Sequence, residues 1–90
     1  MTATFDPKKD AANLKKHGVS LAEGDGVLSD PLAVTIEDES TEGEQRFATL
    51  GANTFGSLRV VVWTPRGDDD RIISVRKPTR KEIRTYEEGV

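Results

Sequence analysis

The segment Leu58 to Thr64 constrains this chain more than any other. It reads Leu-Arg-Val-Val-Val-Trp-Thr, a run dominated by β-branched and aromatic side chains. Such residues lose rotamer freedom in a helix and pack well on a pleated surface. The run is apolar enough to lie at the centre of a sheet. Directly after it comes Arg66-Gly67-Asp68-Asp69-Asp70, a turn signal, and then Arg71 to Arg76 with Ile72, Ile73 and Val75. Two strands joined in this way predict an antiparallel hairpin.

The rest of the chain must cover that sheet. Asp6 is a good N-cap, Pro7 suits the first helical position, and Gly18 stands where a C′ glycine belongs. Lys15, Lys16 and His17 fall in the last turn, where cations suit the helix dipole. A second helix follows, with Ser20 and Glu23 in a capping-box pattern and Leu21, Val27 and Leu28 as its apolar residues. Asp30-Pro31 breaks it. Leu32, Val34 and Ile36 then alternate as a strand, and the acidic stretch from Glu37 to Glu44 is a solvated connection. Arg46 to Leu50 is a shorter strand, closed by Gly51-Ala52-Asn53. At the end, Thr79 and Glu82 form another capping box, with Ile83 and Tyr86 on one face of a helix. The expected class is α+β: two N-terminal helices packed on a mostly antiparallel four-stranded sheet, with a short C-terminal helix.

The 90 residues make one domain, 1–90, with room for a single modest core. There is no cysteine, so disulfides and thiolate metal sites are excluded. The N-terminus lacks the basic and apolar regions of a signal peptide, and Val60 to Trp63, the longest apolar run, is far too short to span a bilayer. A cytoplasmic protein without membrane contact is expected. The net charge of −3 conceals an asymmetry. Glu37, Asp38, Glu39, Glu42 and Glu44 cluster without a cation, whereas Arg71, Arg76, Lys77, Arg80, Lys81 and Arg84 face Glu82 alone. The basic end either binds a polyanion or is a solvated helix face.

Three blocks resemble a known family. The first is Phe5-Asp6-Pro7-Lys8-Lys9 with Asn13, Lys16, His17, Gly18 and Val19. The second is Asp30-Pro31, Glu44, Arg46 and Gly51. The third is Val60-Val61-Val62, Thr64, Arg66, Arg71-Ile72-Ile73-Ser74, Arg76, Lys77, Glu82 and Tyr86-Glu87-Glu88. In this order and spacing the chain resembles the BrnT toxins over nearly its whole length. Phe5 stands where the family usually has tryptophan, Leu21 where it often has phenylalanine, Trp63 where histidine is frequent, and Pro78 where alanine is. The resemblance implies a RelE-like fold, RNA cleavage that halts translation, and a BrnA-like antitoxin with a ribbon-helix-helix end. Contact with DNA would then be only through that antitoxin, in a hetero-oligomer.

The residues themselves favour chemistry without metal or other cofactor, since one histidine and no cysteine cannot build a usual transition-metal site. RNA can be cleaved by its own 2′-hydroxyl if a base takes the proton, a cation steadies the phosphate and the leaving oxygen is protonated. Arg76, on a strand face shared with Ile72 and Ser74, is a phosphate clamp or an edge-strand charge. Arg66 could approach from the same hairpin or be a turn arginine. His17 is a base near neutrality or a helix-end residue. Glu44 and Arg46, two apart, are a base and a clamp or a salt bridge. Lys16, Lys77, Arg80 and Lys81 would attract RNA backbone, and Tyr86 either stacks on a base or packs with Ile83. A nucleic-acid-binding module without catalysis, and a pure protein-interaction domain, are the competing functions.

Overall fold

The computed structural model describes residues 3–38 and 43–89. The order of elements is β1 (Ala3–Thr4), α1 (Pro7–His17), a 3-10 turn (Leu21–Glu23), α2 (Gly24–Leu28), β2 (Val34–Asp38), β3 (Arg46–Ala52), β4 (Leu58–Arg66), β5 (Asp69–Arg76) and α3 (Arg80–Glu87). The strands form one five-stranded sheet in the order β1-β5-β4-β3-β2. Pairs from β5 to β2 are antiparallel, and β1 lies parallel to β5, with Ala3 opposite Asp70 and Thr4 opposite Arg71.

This corrects the four-stranded sheet. The fifth strand is two residues long, too short to carry any period, and its partner lies at the other end of the chain. The hairpin is present as expected, but its strands run further. Arg66 pairs with Asp69, so the turn is Gly67-Asp68, with Gly67 at φ 59°. Backbone of that hand is the one a two-residue hairpin favours and glycine supplies at no steric cost. β2 starts two residues later than the alternation indicated and runs to Asp38. Of the acidic connection, residues 39–42 lie outside the described residues.

Helix α1 is capped as the sequence predicts. Asp6 accepts from the Lys8 amide at 2.9 Å, and Gly18 closes the helix at φ 71° with its N–H on the Leu14 carbonyl. The second helix is reduced to the 3-10 turn followed by a five-residue α2. Ser20 caps the turn through the Ala22 amide, but Glu23 does not complete a box. Its carboxylate instead accepts from Asn53 at 2.7 Å and from Arg59 at 3.1 Å, tying the turn to the β3–β4 connection. Two further bonds to Asp10 Oδ1, from the Ser20 hydroxyl at 2.9 Å and the Leu21 amide at 2.7 Å, fasten it to α1.

The core lies between these N-terminal elements and one face of the sheet, where Val19, Leu21, Val27, Val61, Ile72 and Val75 are buried together. Directly opposed residues share a face. The row Thr35, Thr49, Val61, Val75 therefore looks toward the core, and the row Val34, Leu50, Val60, Arg76 looks the other way. Helix α3 crosses that second row at one end of the sheet. It begins at a complete capping box between Thr79 and Glu82, as the sequence predicts.

A register shift between Val62 and Trp63, opposite Ser74 and Ile72, gives β5 one extra residue, Ile73. Such a bulge reverses alternation. Ile72 consequently enters the core, and Arg76 does not share its face, contrary to simple alternation along the strand. Among the described residues no helix is long and apolar enough to cross a membrane.

Candidate active site

Side chains with the chemistry to handle a phosphate gather at two ends of the sheet face that α3 lies on. At the first end, Glu44 precedes β3, Arg46 opens it and Arg66 closes β4. One Glu44 oxygen meets Arg66 Nη2 at 3.4 Å and the other meets Arg46 Nη2 at 3.6 Å. The backbone between Glu44 and Arg46 is fixed, because the Thr64 hydroxyl, itself buried, donates to the Gln45 carbonyl at 2.6 Å. The Arg46 Nε is buried and has no hydrogen-bond partner among the described residues. A half-exposed carboxylate bracketed by two guanidinium groups, one of them on the largely exposed Arg66, sets a proton acceptor beside donors that can hold a phosphate oxygen.

At the second end, Arg76 leaves β5. Its two terminal nitrogens donate to the two oxygens of Glu82 at 2.8 and 2.9 Å, and Nη1 also reaches the Lys77 carbonyl at 3.2 Å. The expected phosphate clamp is thus already holding an internal carboxylate. The Arg76 hydrogen bonds are the main reason the Glu82 carboxyl is held down at about 2, against partial burial that opposes the shift. Arg76 is in turn raised by the same pair.

The two ends are well separated. Arg76 pairs with Val60, and Arg66 lies six residues further along β4, so their backbones are about 20 Å apart at roughly 3.4 Å per residue. The hairpin therefore keeps Arg66 away from Arg76 rather than bringing it near. Strand alternation places Arg46, Ala48 and Leu50 on one face, the face of Arg76. Between the two arginine ends this face offers the row Ile36, Ala48, Val62, Ser74.

Lys16 and His17 fall elsewhere. With Lys9, Ala12 and Asn13 they border a shallow depression against Ile73 and Ser74, at the edge of β5. His17 is therefore two strands away from β3, where Arg46 sits. Lys77, Arg80 and Lys81 are all exposed around the start of α3. Tyr86 has a role that neither reading included. Its hydroxyl donates to Asp30 at 2.6 Å, pinning the far end of α3 to the loop before β2. That bond is the first cause lowering Asp30, helped by the Ala52 and Leu32 amides, and it raises the Tyr86 phenol. Among the described residues no group of three or more acidic or histidine side chains converges as a metal site would.

The fold and these residues can be set against known proteins. The family model of the ribonuclease toxin BrnT of type II toxin–antitoxin systems matches residues 5–82. The chain belongs to this family. It is similar in fold to the crystal structure of the Brucella abortus ribonuclease toxin BrnT, with a TM-score of 0.68, at 21% identity, over 89% of this chain and 100% of that one. No curated protein sequence matches it.

Several residues that carry the BrnT resemblance prove to be structural anchors, a role the sequence reading missed. Asn13, 7% exposed, donates to the Val19 and Val75 carbonyls at 2.8 Å each and accepts from the Val75 amide at 3.3 Å. Its carboxamide substitutes for a neighbouring strand at the edge of β5, just before Arg76. Asp30 accepts from Leu32, Ala52 and Tyr86. Gly51 lies inside β3 rather than closing it, and a Cβ there would stand 3.1 Å from the Val27 carbonyl and 3.2 Å from Asp30 Oδ2. The residue order carries no signal for Asn13, because only the packing of α1 on β5 buries it and obliges it to find partners.

Proposed function

We propose that this BrnT-family chain is a metal-independent endoribonuclease that halts translation and is neutralised in the cytoplasm by a BrnA-like antitoxin. The observation that carries the reading is the Glu44 carboxylate between Arg46 and Arg66, with the Arg66 guanidinium largely open to solvent. In this mechanism Glu44 takes the proton of the RNA 2′-hydroxyl. The 2′-oxygen bonds to phosphorus, the bond to the 5′-oxygen breaks, and that oxygen takes a proton from solvent. Arg46 and Arg66 carry the charge that builds on the phosphate. Arg76 is a second phosphate contact along the same face. Lys16, Lys77, Arg80 and Lys81 draw the strand in, and His17 serves the RNA path beside Ser74 instead of the Glu44 step. Products are a 2′,3′-cyclic phosphate and a 5′-hydroxyl.

The antitoxin, a ribbon-helix-helix protein in a hetero-oligomer, would bring acidic residues to these cations and an apolar strip to the sheet face. Exposed Leu32 and Ile36 support that pairing. Partner-free protein incubated with RNA in EDTA tests the enzymatic reading. Cleavage to cyclic-phosphate ends is expected, reduced about 100- to 1,000-fold by Arg46→Ala or Arg66→Ala and abolished by Glu44→Gln. Cleavage by Glu44→Gln at the wild-type rate would remove Glu44 from the mechanism, and binding without cleavage would assign a non-catalytic nucleic-acid module.

A further inference from the structure

Helix α3 has the construction of a removable cover. None of its residues is buried. It spans one end of the sheet above a groove of roughly 180 Å³ lined by Val34, Ile36, Ala48, Leu50 and Val60, with Glu82 and Thr85 on the helix side. It is pinned by polar contacts at its two ends, Glu82 on Arg76 and Tyr86 on Asp30. The core cluster on the opposite face includes no α3 residue. A shift of the helix would uncover Leu50 and Val60 beneath it, which are buried, but would leave that cluster in place.

The contact at Arg76 is chemically specific. A guanidinium fork binds carboxylate and phosphate by the same two parallel N–H···O bonds. We propose that Glu82 is a built-in competitor for the anion site of Arg76, its carboxylate standing where two oxygens of an RNA phosphodiester sit when the strand is bound. RNA engages Arg76 by displacing Glu82, and α3 moves aside with it. The inference rests on the reading of this sheet face as the RNA path, and it adds the group that occupies the path when RNA is absent.

Glu82→Gln is the decisive variant, because glutamine serves equally in a capping box and so keeps the start of α3 while removing the charge. The probe is a short single-stranded oligoribonucleotide with 2′-O-methyl groups, which binds but has no attacking hydroxyl. Glu82→Gln is expected to tighten binding by up to about fivefold, the scale of a partly exposed ion pair. The plot of log affinity against log salt should flatten by about 0.7 in Arg76→Ala, which loses one phosphate contact that the wild-type complex already makes. Arg76→Ala should weaken binding, and adding Glu82→Gln to it should recover nothing. If Arg76→Ala weakens binding but Glu82→Gln does not tighten it, the competition is refuted and Arg76 remains an RNA contact. If Glu82→Gln gains as much without Arg76 as with it, the gain is only lost repulsion and the proposal also fails. If Arg76→Ala leaves affinity and salt slope unchanged, RNA does not use Arg76 at all, and the Glu44 cleavage assay still stands as a separate test.

Discussion

Asn13→Ala should cost this small domain a large share of its stability without touching a charged group or the apolar core. The wild-type side chain makes two bonds of 2.8 Å and one of 3.3 Å. Its partner Val75 is wholly buried, so water cannot readily replace it. Truncation leaves the Val75 amide and the Val75 and Val19 carbonyls short of a partner. A buried group left unmatched costs about 1–3 kcal/mol, and the longer bond counts for less. A total of about 2–4 kcal/mol is expected, against a typical ~5–13 kcal/mol for a domain of this length. With a urea slope near 1 kcal/mol per molar, the midpoint should fall by about 2–4 M. Trp63 is the sole tryptophan. It is stacked on Phe47 at 4.9 Å with its indole N–H on Thr49, so its fluorescence reports the transition. Asn13→Asp sharpens the test. Its carboxylate would face two carbonyl oxygens, which favours the protonated form and raises the folded-state value above the unfolded one. The folded protein then binds the extra proton, so the variant should lose stability as pH rises from the unfolded value near 4 up through the raised folded one, and recover on acidification. An Asn13→Ala midpoint within about 0.5 M of wild type would show that the carboxamide does not hold the edge of β5.

Glu82 should make the wild type acid-sensitive. Its folded value of about 2 lies below the ordinary 4.5, so its contribution is present above about pH 4.5 and lost as pH falls toward 2. Screening limits that contribution to about 1 kcal/mol at most, and denaturation curves of Glu82→Gln should lack that part of the pH slope. Tyr86, the only tyrosine, should ionise above its ordinary range in an absorbance titration because it donates to Asp30, and Asp30→Asn should bring it down. An unshifted wild-type titration would mean that the pin at the end of α3 is not made in solution. Gly51→Ala would ordinarily favour a strand, but here its methyl would meet the Val27 carbonyl and the triply bonded Asp30. A loss of about 1–3 kcal/mol is expected, and an equal or raised thermal midpoint would contradict that packing.

Local chemistry accounts for the elements that could be read from the order of residues. The β-branched run and glycine turn specified the β4–β5 hairpin, Asp6, Pro7 and Gly18 bounded α1, and Thr79 with Glu82 started α3, because caps, turns and side-chain stiffness act over a few residues. The family was legible for a related reason: its motif residues keep their spacing whatever they touch. Tertiary structure alone decided the rest. A two-residue β1 exists only because β5 offers an edge, and Ile73 bulges because the two strands must match a core on one face. Glu23 left its capping box for Arg59 and Asn53, partners 30 or more residues away. Glu82 kept its cap and also took Arg76. Glu44, Arg46 and Arg66 meet because β3 and β4 are antiparallel neighbours, whereas the same antiparallel geometry places Arg66 and Arg76 at opposite ends of their hairpin. Charged side chains are long and have many possible partners, and only the folded backbone, by fixing which ones come within reach, selects among them.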